Sequence, residues 1–246
     1  MCLKDKHIVI MGASSGLGKE SAYVLSKLGA KLTLVARNKE RLSAILEELN
    51  GINDRYYSYD LNDLNGLRDL IGKIVKEQGP LDGMCFCAGI TGAKALRPLK
   101  MTKPDFVKNM LNVHTLAFIE AVRCLAERKN LNERASIVGV SSVAAYRATL
   151  GEYAYASAKA ANDAFVRSAA LELSRKNVRI NSISFGAIDS EAYQSALIQT
   201  SDESKLLENQ YMGLIQMESA AKYIAFLLGD SLPQMTGTVL EYFAGR

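Results

Sequence analysis

Short apolar runs recur along this chain with room for one helix between successive runs, and that alternation restricts the fold more than any single residue does. The runs predict strands at His7–Met11, Lys31–Ala36, Arg55–Tyr59, Gly83–Cys87, Ile137–Val140, Val178–Ser184 and Gly237–Tyr242. Ile137-Val138-Gly139-Val140 is short and continuously apolar, as a strand covered on both faces must be. Helical stretches lie between: from the turn after Met11 to about Leu28, Asn38 to Asn50-Gly51, Asp63 to Gln78, Thr102 to about Lys129, Gly151-Glu152 to about Lys176, and Glu218 to Leu228. Asn38 and Thr102 are suited to cap their helices, and Pro104 to a first helical turn. Such alternation builds an α/β fold, a parallel sheet with helices on both faces. No repeat or linker interrupts it, so residues 1–246 read as one domain.

Composition narrows the function. With 48% apolar residues the 246-residue chain can bury a sizeable core, and no apolar run reaches the roughly 18 residues of a membrane span. A net charge of +4 with interleaved signs does not suggest nucleic acid. The N-terminus has no signal-peptide architecture, and Cys2, Cys85, Cys87 and Cys124 have neither zinc spacing nor disulfide density. The expectation is a cytoplasmic protein with reduced thiols, no metal and no membrane partner.

Chemistry concentrates between Ala135 and Asn162. Tyr155 and Lys159 are four residues apart on a helical stretch and so share a face; Tyr146 and Tyr153 have Leu150 and Ser157 in the lysine position. An ammonium beside a phenol favours the phenolate and lowers a pKa otherwise about 10, so Tyr155 is expected to exchange protons near neutral pH. Ser142 stands where the preceding strand ends, the ligand edge of an open α/β sheet.

A second motif, Gly12-Ala13-Ser14-Ser15-Gly16-Leu17-Gly18, sits between the first strand and its helix. Glycines there permit a sharp turn and close approach of a pyrophosphate to the helix N-terminus. The second strand ends in Ala36-Arg37-Asn38, with no acid to hold the ribose hydroxyls of NAD. Arg37 offers a fork of donors suited to a 2′-phosphate, or is a solvated residue at a helix start. Asp60 is suited either to the adenine amino group or to a turn.

Taken together, Gly12–Gly18, Asn112, Ser142, Tyr155 and Lys159 resemble, in order and spacing, the single-domain branch of the short-chain dehydrogenase/reductase family. The resemblance implies a doubly wound, seven-stranded Rossmann-type sheet ordered 3-2-1-4-5-6-7. It implies an oxidoreductase interconverting a ketone and a secondary alcohol, with Tyr155 as general acid/base and Ser142 binding the substrate carbonyl. Lys159 would hold the nicotinamide ribose and depress the Tyr155 pKa, and Asn112 would anchor a relay water. NADP(H), preferred over NAD(H), would meet Gly12, Ser14, Ser15, Gly16, Leu17, Gly18, Arg37, Asn38, Asp60, Leu61, Cys87, Ala88, Gly89, Tyr155, Lys159, Gly186, Ile188 and Ser190. Residues 187–213 would form a substrate lid, partly apolar through Tyr193, Leu197, Ile198, Leu206, Leu207, Tyr211 and Met212. Helices 103–129 and 152–176 would pair subunits into a homo-dimer or homo-tetramer, through Phe106, Met110, Phe118, Val122, Ala160, Ala161, Ala164, Ala169 and Ala170.

Four residues depart from the family pattern: Met11, Phe86, Cys87 and Phe185, the last with bulk that would project toward the nicotinamide or substrate. Cys85 and Cys87 read as core thiols, His114 as structural, and Tyr146 and Tyr153 as candidates to line the substrate pocket. Two rival functions stand beside this one. A carrier-protein-dependent β-ketoacyl reductase would dock through Arg128, Lys129 and Arg134, although Leu171 lies where such enzymes often place a base. A nucleotide-binding sensor or scaffold would turn nothing over.

Overall fold

The computed structural model describes residues 2–49, 51, 53–127, 129–147, 149–200 and 210–245. Its strands are β1 (His7–Met11), β2 (Lys31–Ala36), β3 (Arg55–Ser58), β4 (Leu81–Phe86), β5 (Leu131–Ser142), β6 (Arg179–Phe185) and β7 (Val239–Tyr242). All neighbours pair in parallel, in the order β3-β2-β1-β4-β5-β6-β7. The helices are α1 (Gly16–Lys27), α2 (Lys39–Leu49), α3 (Leu67–Gln78), α4 (Pro104–Leu111), α5 (Ala117–Leu125), α6 (Tyr153–Leu173), α7 (Glu191–Thr200) and α8 (Met217–Leu228).

The period-two alternation of a strand divides the core. Val9, Met11, Met84, Phe86, Ile137 and Ile180 face one layer, packed by α3, α5 and α6 through Ile71, Phe118 and Val166. Ile8, Ile10, Cys85, Val138, Ile183 and Phe185 face the other, packed by α1, α2 and α8 through Leu25, Leu42 and Ile224. Phe185 therefore does not project toward a ligand: it is buried, with its ring 6.0 Å from that of Tyr242. Met110, Phe118, Val122 and Ala170, expected at a subunit contact, are likewise buried within their own chain; Leu116 and Leu171 are the exposed leucines of α4–α6.

Three boundaries move for local reasons. β5 begins at Leu131 rather than Ile137, across a register shift between Leu81 and Gly83, and Arg134 there has φ of 64°. After Leu131 its residues Asn132, Glu133 and Arg134 are polar and exposed, so an apolar run cannot mark them. α3 starts at Leu67, not Asp63, because the Asp63 carboxylate accepts from the Gly66 amide (3.2 Å) and holds a turn. The stretch after Thr102 is capped by Lys103 rather than Thr102, and a π turn, Asn112–Leu116, separates α4 from α5.

Candidate active site

β5 and α6 deliver the chemistry to the C-terminal edge of the sheet. Ser142 ends β5, and its hydroxyl accepts from the Ala144 amide (3.2 Å), opening the turn that leads toward α6. Tyr155 lies in the first turn of α6, where Ser142 is near enough to oppose the effect of burial on its phenol. Lys159, buried one turn on, donates to the Val140 carbonyl (2.7 Å) and stands 5.6 Å from the centre of the Tyr155 ring. Serine, tyrosine and lysine therefore converge, but the expected effect on acidity is not seen. Burial pushes the Tyr155 phenol up, Ser142 opposes this, and the Glu152 carboxylate adds to it. Lys159 directs its ammonium to a carbonyl and to the face of the ring, so it does not relieve the hydroxyl. Burial in turn brings Lys159 down to about 8, against an upward pull from Asp163 and Cys87.

The π turn decides which residue joins this group. Asn112 does not: its amide donates to the carbonyl (3.1 Å) and Oδ1 (3.0 Å) of Asn62. His114 does, with its ring edge-on to Tyr155 at 5.3 Å. The Ile90 amide donates to His114 Nε2 (2.8 Å), and the Ile90 carbonyl lies 3.0 Å from the same nitrogen. Burial, then the Lys159 charge, holds this imidazole well below its usual pKa, so it is neutral. Two further bonds tie the π turn to α6: Thr115 Oγ1 to the Ala158 carbonyl (3.0 Å) and Asn162 Nδ2 to the His114 carbonyl (2.9 Å).

The glycine turn passes beside this group. Gly12 has φ of 91°, and a Cβ there would lie 2.7 Å from the Ala88 backbone. A Cβ on Gly18 would lie 2.2 Å from the Gly12 carbonyl, and one on Gly89 would meet the His114 ring at 2.2 Å. At Gly16, with φ of 52°, nothing lies within 4 Å of that position. No side chain caps α1, and its first turn carries no acid, so the helix offers its N-terminal amides and positive dipole end to that space. An unfilled glycine face at an uncapped helix N-terminus suits a pyrophosphate, which is the fit a dinucleotide requires. Ser14, Ser15 and Leu17 are at least partly accessible there.

Around it the remaining expected contacts divide. Arg37 is exposed beside buried Ala36. Asn38 spends its side chain on the Arg41 amide (2.7 Å) as the cap of α2, and Asp60 accepts from the Asn62 amide (3.0 Å) in a turn. Leu61 is core, and Cys87 lies with its sulfur 3.2 Å from that of Cys85. Ser190 caps α7 through the Tyr193 amide (3.1 Å), and Ile188 bridges to Ile215. Gln210, unremarked in the sequence, grips Ala187 by both its amide and its carbonyl, each at 2.8 Å. A Cβ on Gly186 would meet this Gln210 side chain at 2.5 Å. On the substrate side α7 rests on Gly92–Ala95, where the Ala93 amide donates to Ser195 (3.2 Å). Tyr193 is buried, whereas Ile198, Tyr211 and Met212 are exposed; Leu206 and Leu207 lie outside the described residues. Tyr146 is exposed, with its ring under the Arg147 guanidinium, while the Tyr153 hydroxyl is buried against the Ala95–Met110 cluster.

A family model described as short chain dehydrogenase matches residues 6–200. The chain belongs to that family. Short-chain dehydrogenases are oxidoreductases of CH–OH groups that bind NAD or NADP, which sets aside the reading of a non-catalytic scaffold. The chain is 28% identical to a 3-oxoacyl-[acyl-carrier-protein] reductase of Thermotoga maritima, over 100% of this chain and 99% of that one. It is 26% identical to a 7alpha-hydroxysteroid dehydrogenase of Escherichia coli, covering 99% and 94%. Among solved structures, a short-chain type dehydrogenase/reductase from Mycobacterium ulcerans superposes with a TM-score of 0.87 at 27% identity, covering 100% and 90%. No helix among the described residues is long and apolar enough to cross a membrane.

Proposed function

We propose that the chain interconverts a ketone and a secondary alcohol with NADP(H), Tyr155 acting as general acid/base. The observation that carries this reading is the meeting of Ser142, Tyr155 and Lys159 beside the Gly89 turn. Because burial favours the neutral phenol, Tyr155 rests in the form that gives a proton to a carbonyl oxygen. Ser142 and Tyr155 are the donors that would stabilise negative charge developing on that oxygen, commonly the largest catalytic contribution. The cofactor, when bound, supplies the hydride. Gly16 and the N-terminus of α1 would hold its pyrophosphate, and Arg37 would pair with a 2′-phosphate. The test is the oxidation of NADPH and of NADH by a panel of ketones and diketones. Turnover with NADPH preferred is the expected result; absence of turnover, or a preference for NADH, overturns the corresponding half.

A second reading, reduction of a 3-oxoacyl thioester, is supported by the relatives from Thermotoga maritima and rat that carry that name. Of its basic docking residues, Lys129 and Arg134 are described and Arg128 lies outside the described residues; Leu171 is 74% exposed at the position suited to a base. Comparing kcat/KM for acetoacetyl-coenzyme A with that for free ketones separates the two. We further propose a homo-dimer or tetramer through α4–α6, where Leu116 and Leu171 remain exposed. Light scattering should give a multiple of the chain mass at micromolar concentration.

A further inference from the structure

Behind the site, α6 carries a third polar residue in line with Tyr155 and Lys159. Asp163 lies one turn beyond Lys159, on the same face, and is only 5% exposed. Its Oδ1 accepts from Ser182 of β6 (3.0 Å), itself 1% exposed, and the Ser141 hydroxyl of β5 lies beside the carboxyl. A carboxyl held this way, deep under the sheet edge, is costly unless a charge faces it. The cation nearest along that face is Lys159, one turn back and equally buried at 4% exposure, whose charge acts on the carboxyl without a direct ion pair. We infer that Asp163 is a positioning residue: its carboxylate, oriented by Ser182, keeps the Lys159 ammonium charged where a reacting substrate and cofactor would meet it. The catalytic part of this inference rests on the function proposed above; the pairing of the two charges does not.

The alternatives to Asp163 are weaker at each surrounding element. On α6 the other titratable neighbour of Lys159 is Tyr155, which burial keeps neutral, and Arg167 faces Asp163 from the next turn. The π turn contributes His114, a neutral imidazole. The end of β4 contributes Cys87, a thiol whose sulfur faces Cys85. β5 contributes the Val140 carbonyl, which accepts from the ammonium but carries no charge. Asp163 is thus the carboxylate opposing the burial that lowers Lys159.

Lysines labelled with 13C at the ε carbon would test this directly by NMR titration of the cofactor-free protein. The Lys159 signal, assigned by its loss in Lys159→Met, should titrate well below the surface lysines. Asp163→Asn keeps the shape and the Ser182 bond, and should lower that midpoint by at least about one unit, a tenfold change in the ratio of charged to neutral lysine. A midpoint moved by less than about 0.3 unit overturns the inference. Should Asp163→Asn fail to fold, Ser182→Ala, which releases the carboxylate, should move the midpoint the same way by less; an unmoved midpoint there overturns it too. In NADPH oxidation with acetoacetyl-coenzyme A, Asp163→Asn should lose about fivefold in kcat at pH 8 and approach wild type at pH 6. A purely structural role would give a loss independent of pH, and that result also overturns the inference. Tyr155→Phe, run in parallel, separates the two proposals: if it keeps its turnover the catalytic reading falls, while the NMR titration still decides the role of Asp163.

Discussion

The glycine turn and the buried face of α6 open on the same edge of the sheet, but they are built on opposite principles. In the glycine turn the proposed function lies in the backbone, and side chains are absent at Gly12, Gly16 and Gly18 because there is no room for them, or because room must be left. On α6 the proposed function lies in side chains, and Tyr155, Lys159 and Asp163 form a file of ionisable groups held in a region most residues of that kind avoid. The first is a matter of space and dipole, and the second a balance between burial, which discharges groups, and neighbours, which charge them. Substitution should therefore break the two in different currencies: stability and cofactor affinity at the turn, proton transfer and its pH dependence on the helix.

The largest effect should come from the helix. Tyr155→Phe removes the proton while keeping the ring on His114, so turnover should fall by at least about 10²-fold, the usual worth of general acid–base catalysis. NADPH affinity, read by fluorescence, should change little, and Tyr153→Phe should stay near wild type. Next comes Arg37, at the cofactor edge. A charge-assisted bond is worth about 1.5–3 kcal/mol, so Arg37→Ala should lower kcat/KM for NADPH by roughly 10- to 150-fold while sparing NADH. Ala36→Asp should reverse the preference by repelling the phosphate.

Within the turn itself, two glycines should part company. Gly12→Ala puts a Cβ against the Ala88 backbone at a left-handed φ, and should cost about 2–3 kcal/mol of stability in a denaturant titration. Gly16→Ala meets nothing, so it should cost only about 1 kcal/mol of backbone strain, yet fill the space left for a pyrophosphate and weaken NADPH. Equal stability losses at the two positions would mean that Gly16 is a turn residue only.

The smallest effect sharpens the helix side. His114 has a folded pKa below that of the unfolded chain, so the unfolded state takes up its proton first. Stability should be full above about pH 6.5 and decline as pH falls below it, by up to about 1.4 kcal/mol per unit. His7, lowered chiefly by burial, acts in the same direction, whereas Asp54 and Asp163, raised by burial, act in the opposite one. His114→Asn removes one contributor, and the melting temperature lost between pH 7 and pH 5.5 should shrink by about 2–4 °C.

Backbone design was the more legible of the two in the amino-acid sequence. β1 and β2 end where their apolar runs end, and the glycines between strand and helix announce their turn. Side-chain design was legible only where spacing is regular. Tyr155 and Lys159 share a face because four residues make about one turn, but their electrostatics depend on where the ammonium points, which spacing does not encode. Asn112 and His114 were resolvable only by the π turn, whose extra residue shifts the helical phase and which no periodic pattern reveals. Asp163 fits the same four-residue step beyond Lys159, so it was available to inspection; its burial was not, since a charged residue on a helix is ordinarily solvated.

Gln210 carries one further consequence. Its carboxamide exchanges two bonds with Ala187 as the peptide of an adjoining strand would, so a single side chain does the work of a strand pairing. A third bond, to the Gly213 carbonyl (2.8 Å), and the Ser190 cap of α7 mark the two ends of the interval. The backbone at Ala187 is therefore held by one side chain, and Gln210→Ala should free both of its peptide groups at once, read as faster amide hydrogen exchange at Ala187 with β6 unchanged.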